Sequence, residues 1–223
     1  IVCSVIIAVV TGVIGWSYYS SYYCYDNTAY ECSVRTRVIP FEGKGTDVTA
    51  DLVNPTTWSL IDSPIRVNPS NDYLSISANL TIEPGVVIQV GAGKGLSFDG
   101  SCDNFMAMGN STDHILIEGQ GGAEWKGLAF TGACSTAEGT DDRHQMSYVD
   151  FANTSDAAIS AGSRHGATPS SHANVGNFTM DHVTFTNVGT AFKHGSGQGT
   201  VLTMSDFEIN DASDSCFDLA EDS

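Results

Sequence analysis

Three stretches in the C-terminal part of the chain repeat one pattern, and this repeat restricts the fold more than any other sequence feature. The stretches begin at Met146, Met180 and Met204, so their starts lie 34 and 24 residues apart. Apolar residues follow at the third and fifth positions, Asn or Asp at the seventh, and another apolar residue further on: Val149, Val183 and Phe207; Phe151, Phe185 and Ile209; Asn153, Asn187 and Asp211; Ile159, Phe192 and Phe217. Such a short repeat buries its apolar side chains only by stacking on its neighbours. The pattern therefore predicts rungs of a parallel β-solenoid.

Short strand-like runs fill the chain from residue 73 onward. Leu74–Val90 alternates apolar and polar residues around a turn at Pro84 and Gly85. Similar runs follow at His114–Gly119, Trp125–Phe130 and Met146–Asn153. Alternation with a period of two is typical of strands, and Gly, Asn, Asp and Ser punctuate the runs as they do in turns. We therefore expect one all-β domain over residues 73–223, with residues 163–177 as a loop extruded from one corner.

The run Leu80–Gly100, LTIEPGVVIQVGAGKGLSFDG, followed by HILIEG and EWKGLAF, resembles right-handed parallel β-helix repeat proteins of cell surfaces. In that family a T-I-x-P-G turn, a glycine-rich corner and a W-x-G-[IL] rung recur in this order. The resemblance covers residues 73–220 and implies a right-handed parallel β-helix. It implies little about activity, because this fold carries lyases, hydrolases, adhesins and structural fibres. The GAGKG segment, Gly91–Gly95, lacks the spacing of a phosphate loop and is interpreted as a corner.

The first 25 residues form a separate hydrophobic segment. No Asp, Glu, Lys or Arg precedes Asp26, Ile1–Ile14 is almost wholly apolar, and a cluster of aromatic residues follows. An apolar run closed by aromatic residues is typical of a helix at a membrane interface. We therefore predict one N-terminal hydrophobic α-helix over residues 1–25, serving as a membrane anchor or a filament core. Its assembly or anchor residues are Val2, Val5, Ile6, Val9, Val10, Val13 and Ile14.

An apolar run that begins at residue 1 resembles mature type IV pilins and archaellins, whose leader is removed just before such a helix. The resemblance departs from the bacterial pattern at Val5, where most pilins carry glutamate. It implies that copies of the chain assemble through this helix. An uncleaved signal anchor and a leftover signal peptide are the alternatives.

Residues 26–72 separate this segment from the repeats. Pro55, Pro64 and Pro69 fit an irregular entry segment, and we expect a connector and N-terminal cap over the first rung. A solenoid needs caps because its open ends expose unpaired strands. No comparable cap follows at the C-terminus, where Cys216–Leu219 still has the pattern of a rung. A longer native chain or a neighbouring subunit is expected to cover that end.

Six cysteines and four sequons favour an extracellular location. Cys24 and Cys32 flank a short loop, and Cys102 and Cys134 lie in similar small-residue contexts, so we expect a disulfide in each pair. Cys3 lies in the apolar run and Cys216 lacks a partner. Disulfides persist in oxidising compartments. The candidate N-glycosylation sites are Asn79, Asn110, Asn153 and Asn177.

The charge balance restricts partners and chemistry. With 9 basic and 26 acidic residues the net charge is −17, which argues against nucleic-acid binding. The pairs Arg143-His144, Arg164-His165 and Lys193-His194 have the residue types that a polysaccharide lyase uses as cation and base. The carboxylates considered for glycoside hydrolysis are Asp141, Asp142, Asp211, Asp214, Asp218 and Asp222. Both sets are interpreted as solvated corners, so no catalytic residue or cofactor is assigned. A weak structural calcium site is a further expectation.

These features favour a non-enzymatic extracellular structural protein. It would be a pilin-like filament subunit or a surface-anchored β-helix protein, exported and held at the cell surface. The partners expected are further copies of the chain through the N-terminal helix, or the membrane through that helix, and contact with glycans. The alternative is a membrane-tethered protein that binds or cleaves polysaccharide, which should show clustered carboxylates or a calcium, Arg and Lys constellation along one face.

Overall fold

The computed structural model describes residues 16–24, 32–40, 45–100, 104–132, 142–162, 175–195 and 200–219, with the backbone alone for 16–24, 32–40 and 142–143. The chain divides into two compact units, residues 1–44 and 45–223. The described part is mostly strand, and no helix of seven or more residues occurs in it, so this part is all-β. No helix among the described residues is long and apolar enough to cross a membrane.

The described backbone of the first unit is a two-stranded antiparallel hairpin. Strand β1 (Trp16–Cys24) pairs along its length with β2 (Cys32–Pro40). Residues 16–24 are thus extended, which corrects the helix prediction for that part of the segment. The reason is local, because β1 is rich in Trp and Tyr and aromatic residues favour strands. Residues 1–15, with every predicted assembly or anchor residue, lie outside the described part.

The register of this hairpin places Cys24 directly opposite Cys32. Opposite residues on antiparallel strands have Cα atoms about 4.5–5.5 Å apart, within the span of a disulfide. We expect non-reducing peptide mapping of the purified protein to recover a cross-linked Cys24–Cys32 peptide. Quantitative alkylation of both thiols without reductant would contradict this prediction. Cys102 and Cys134 lie outside the described residues, and Cys216 is a free, exposed thiol.

The described part of the second unit is one curled sheet of fourteen strands, and all the strand pairs in it are parallel. Its strands are β3 (Thr46–Val48), β4 (Thr56–Trp58), β5 (Ile65–Val67), β6 (Tyr73–Ile76), β7 (Leu80–Ile82), β8 (Val87–Val90), β9 (Gly95–Phe98), β10 (Phe105–Met108), β11 (Ile115–Gly119), β12 (Leu128–Phe130), β13 (Asp142–Ala161), β14 (Asn177–His194), β15 (Leu202–Ser205) and β16 (Glu208–Leu219). From β4 to β9, each strand pairs with the strand three places further on.

The strand pairs form three columns. Column A contains β4, β7, β10, the first parts of β13 and β14, and β15. Column B contains β3, β5, β8, β11, the middle of β13 and β14, and the start of β16. Column C contains β6, β9, β12 and the ends of β13, β14 and β16. We call one pass through the three columns a rung.

The core lies inside these columns, where like side chains stack rung upon rung. Equivalent positions in column B carry Ile65, Ile88, Ile117, Phe151, Phe185 and Ile209. Equivalent positions in column C carry Leu74, Leu96, Leu128, Ile159, Phe192 and Phe217. All but the last member of each series are at most 1% exposed. Every rung therefore contributes to one continuous apolar core.

The register confirms the repeat that the sequence predicts. Met146 pairs with Met180, and Met180 pairs with Met204, so the three stretches are successive rungs. The Gly91–Gly95 segment makes the corner as predicted, with residues 91–94 between β8 and β9 and Gly95 as the first residue of β9.

The parallel sheet begins earlier than the sequence predicts, at Thr46 and not at residue 73. Trp58, Ile65 and Val67 already belong to the core. The prolines that suggested an irregular cap lie between the strands and not within them, a position in which proline disrupts no strand pairing. Residues 46–67 are therefore rung and not connector.

Candidate functional site

The corner between columns B and C is built by the seventh position of the repeat. Asn153, Asn187 and Asp211 have left-handed backbone, with φ of 60°, 51° and 67°. Asn and Asp tolerate this conformation better than other residues with a side chain. Asn187 Nδ2 also donates to Asn153 Oδ1 at 2.8 Å, which links two neighbouring rungs. The polar residue at this position therefore has a structural role.

Two substitutions at Asn187 separate the contributions of its hydrogen bond and of its left-handed backbone to stability. Asn187→Ala is expected to lower the free energy of unfolding by about 2 kcal/mol, because it loses a hydrogen bond and places alanine in left-handed backbone. Asn187→Gly loses the hydrogen bond alone and should cost about 1 kcal/mol. Urea denaturation of both variants measures the difference. Equal losses would contradict the backbone contribution.

All four sequon asparagines use their side-chain oxygen within the fold. Asn79 Oδ1 accepts from the Asn104 backbone N–H at 2.9 Å, and Asn177 Oδ1 accepts from that of Val201 at 3.1 Å. Asn110 Oδ1 closes its own turn by accepting from the Thr112 N–H. Three of the four bonds, including that of Asn153, join different rungs. These hydrogen bonds give the four asparagines a structural role that does not require glycosylation. Glycosylation of these residues stays a prediction.

A second row of side chains lies at the corner between columns A and B. Tyr148, His182 and Asp206 occupy the second position of each repeat and have φ of 50°, 52° and 47°. The Tyr148 and His182 rings stack with centroids 4.3 Å apart, and the His114 ring meets Tyr148 edge-on at 5.3 Å. His114 continues the row one rung earlier, since Ile115 pairs with Val149. We call these four residues the A–B corner stack.

Carboxylates accompany both histidines of the A–B corner stack. His114 Nδ1 lies 3.2 Å from Asp150 Oδ2. His182 Nδ1 lies 2.9 Å from Asp181 Oδ2, and its Nε2 lies 4.0 Å from Asp206 Oδ2. The sequence analysis did not identify this arrangement. The signal was the residue two positions after each repeat methionine, because these residues align in one row.

The carboxylate of Asp181 is held in its charged form. Ser205 Oγ donates to Asp181 Oδ1 at 2.7 Å, and His182 adds a second favourable interaction. These two interactions lower the pKa of the Asp181 carboxyl below its usual value. The group therefore remains an anion at neutral pH.

Asp181, His182 and Asp206 form a cluster with the donor types of a metal site. One side-chain ligand atom from each lies within 4.8 Å of those from the other two. His182 Nδ1 is shielded from solvent and has no partner with hydrogen-bond geometry. The cluster joins two rungs, because Asp181 pairs with Ser205 next to Asp206.

The residues considered for catalysis are dispersed. His144 is a core residue, 3% exposed, with its ring between Phe130 and Phe178 and Nε2 2.8 Å from the Val175 oxygen. Its interpretation as a solvated corner is wrong, because it continues the inward column A position of Phe105. Lys193 pairs with Asp218 at 3.4 Å, and Asp211 and Asp214 are exposed. Arg164, His165, Asp141 and Asp222 lie outside the described residues, as do the side chains of Asp142 and Arg143.

The last described rung is open. Val201, Phe207 and Leu219 are 55%, 45% and 58% exposed. Within the described residues, β15 and β16 pair on one side only, with β14. Phe207 is exposed although its counterparts Val149 and Val183 are buried, because no described rung packs over it.

Comparison with protein-family models, with curated proteins and with solved structures found no match. The class of the second unit therefore rests on its own geometry: an all-β protein with a curled parallel sheet.

Proposed function

We propose that the chain is a non-enzymatic structural protein of the cell surface whose second unit is a right-handed parallel β-helix. The observation that carries this proposal is the use of outward polar side chains as bridges between rungs. Such bridges are Asp72–Lys126, Ser75–Asp99, Gln89–Glu118, Asn153–Asn187, Asp181–Ser205 and Lys193–Asp218. Side chains engaged in this way strengthen the stacking and are not free for chemistry. Rigid mechanical support is the function that this construction supports best.

The proposal extends to assembly and location. The apolar residues 1–14 are suited to join copies of the chain in a filament or to anchor it in a membrane. The net charge of −17 suits a surface in contact with salt-containing medium and opposes binding to nucleic acid. The apolar edge of the last described rung is a second place for contact with a further rung or copy.

One observation favours the alternative of a glycan-binding or polysaccharide-cleaving protein. Tyr148 and His182 are half-buried aromatic residues with carboxylates beside them. Amphipathic rings next to polar groups are common in binding surfaces. The stack is short, however, and its rings face each other, so the structural function is preferred.

Electron microscopy of the natively extracted full chain tests the proposal. We expect long filaments or membrane-attached rods, and no turnover of acidic or neutral polysaccharides. Ile6→Asp should abolish filaments because it places a charge in the apolar run, whereas Thr57→Asp, at an exposed position in β4, should leave them intact. Detergent-soluble monomers that cleave a polysaccharide would contradict the structural function and support the alternative.

A further inference from the structure

We propose that Asp181, His182 and Asp206 bind a divalent transition-metal ion, of the zinc class, at the A–B corner of the last two described rungs. The inference does not depend on the proposed structural function. Asp181 and His182 lie in β14, and Asp206 follows β15, so a bound ion would tie one rung to the next. The cluster lies on the outside of the core, with side chains 41% to 72% exposed, so an ion can enter from solvent.

The distances between the donors suit one small ion. An ion with bonds of about 2.0–2.2 Å holds neighbouring ligand atoms about 3.0–3.6 Å apart. His182 Nδ1 and Asp181 Oδ2 are 2.9 Å apart, close to this spacing. One ion binds only one nitrogen of an imidazole, and one ligand atom from each of the three residues lies within 4.8 Å of the other two. The Asp206 side chain is 72% exposed and therefore free to rotate inward. Water would complete the coordination, as at other sites with three protein ligands.

A second observation points to a ligand. His182 Nδ1 is shielded from solvent and has no partner with hydrogen-bond geometry, although the Asp181 carboxylate is only 2.9 Å away. Shielded polar atoms of this kind are uncommon in folded proteins, and a bound ion is one of the explanations for them. Ser205 fixes Asp181 from the other side by donating to its Oδ1, in the manner of an outer partner that orients a ligand.

The donor set selects the type of ion. Calcium binds six to eight oxygen atoms, whereas this cluster offers two carboxylates and one imidazole nitrogen. Imidazole with carboxylate suits zinc and its neighbours in the transition series. The weak calcium site expected from the sequence had no assigned ligands and stays a separate prediction.

The chain contains a matched control for this site. His114 and Asp150 form a similar contact at the same corner, with Nδ1 3.2 Å from the carboxylate. The next residue in the row there is Tyr148, which supplies a ring and not a carboxylate. The His114 pair should therefore not bind the ion, and a variant at His114 reports nonspecific binding to histidine.

The test is calorimetric titration of the full chain with zinc chloride, repeated for the variants His182→Asn, Asp206→Asn and His114→Asn. Asparagine is chosen because positions 182 and 206 have left-handed backbone, which asparagine tolerates, so the fold is kept. Circular dichroism and the melting temperature without zinc verify folding of each variant. The imidazole signals of His182 in NMR spectra supply a readout at the site itself.

We expect one zinc ion per chain at this site, with affinity reduced tenfold or more in His182→Asn and in Asp206→Asn and unchanged in His114→Asn. The His182 imidazole signals should shift on addition of zinc, and a tenfold excess of calcium should not reverse the shift. Equal zinc affinity in all four proteins, no shift of His182 at 1 mM zinc as a chosen upper limit (about 4 kcal/mol of binding free energy), or displacement by calcium would each overturn the proposal.

Discussion

Replacing Phe130 by alanine is expected to lower the free energy of unfolding by about 3–5 kcal/mol, one of the two largest effects that we predict for a single substitution. Phe130 is 1% exposed at the end of β12. Its ring stacks on Phe98 at 4.6 Å and meets Phe178 edge-on at 4.9 Å. The lost ring would leave a cavity between successive rungs, which cannot collapse without disturbing the pairing of column C.

The matched control is Phe207→Ala. Phe207 is 45% exposed on the last described rung. Its replacement should therefore lower the free energy of unfolding by less than about 1 kcal/mol. Urea denaturation of both variants provides the comparison. Similar losses for Phe130→Ala and Phe207→Ala would mean that the aromatic stack inside the columns is not a continuous core.

The second large effect is expected for Gly127→Ala. Gly127 precedes β12 with φ of 78°, and a Cβ there would lie 1.9 Å from the Ala157 carbonyl oxygen in the next rung. That oxygen belongs to the backbone of β13 and cannot move aside without separating two rungs. Overpacking and the strain of alanine in left-handed backbone together should lower the free energy of unfolding by about 3 kcal/mol or more.

Gly93→Ala isolates the contribution of rung contact. Gly93 also has left-handed backbone, with φ of 65°, but nothing lies within 4 Å of its Cβ position. Its replacement should cost only the backbone strain, about 1–2 kcal/mol. Thermal and urea unfolding of the two variants measure the difference, and equal losses would contradict close stacking at Gly127.

The repeat could be predicted from the sequence because stacked positions in successive rungs carry similar side chains. Met146, Met180 and Met204 stack at one position, and a sequence aligned on them gives the pairing of the last rungs. The first rungs were missed because their strands are three residues long and separated by prolines. Strands of that length carry too little alternation to be distinguished from an irregular segment.

The candidate site was harder to predict than the fold. Tyr148 and His182 both have left-handed backbone, and tyrosine, unlike Asn, Asp and His, is not a residue type that signals this conformation. His144 was expected at a solvated corner because charged residues precede it in the sequence. Its ring is instead buried between phenylalanine rings. Which face a side chain takes depends on the rung's register, and register depends on partners distant in sequence.

Distance measurement between spin labels tests the stacking of rungs most directly. The outward positions of column A run from Thr57 through Thr81, Met106, Gln145 and Thr179 to Thr203, each paired with the next. Five steps of about 4.8 Å predict about 24 Å between positions 57 and 203, and four steps predict about 19 Å between positions 81 and 203.

Labels carried on non-canonical residues avoid the native cysteines, and double electron–electron resonance reads both distances in the full chain. We predict narrow distributions whose centres differ by one rung spacing, about 4.8 Å. Broad distributions, or two distances that do not differ by this spacing, would contradict the stacked parallel rungs on which the account rests.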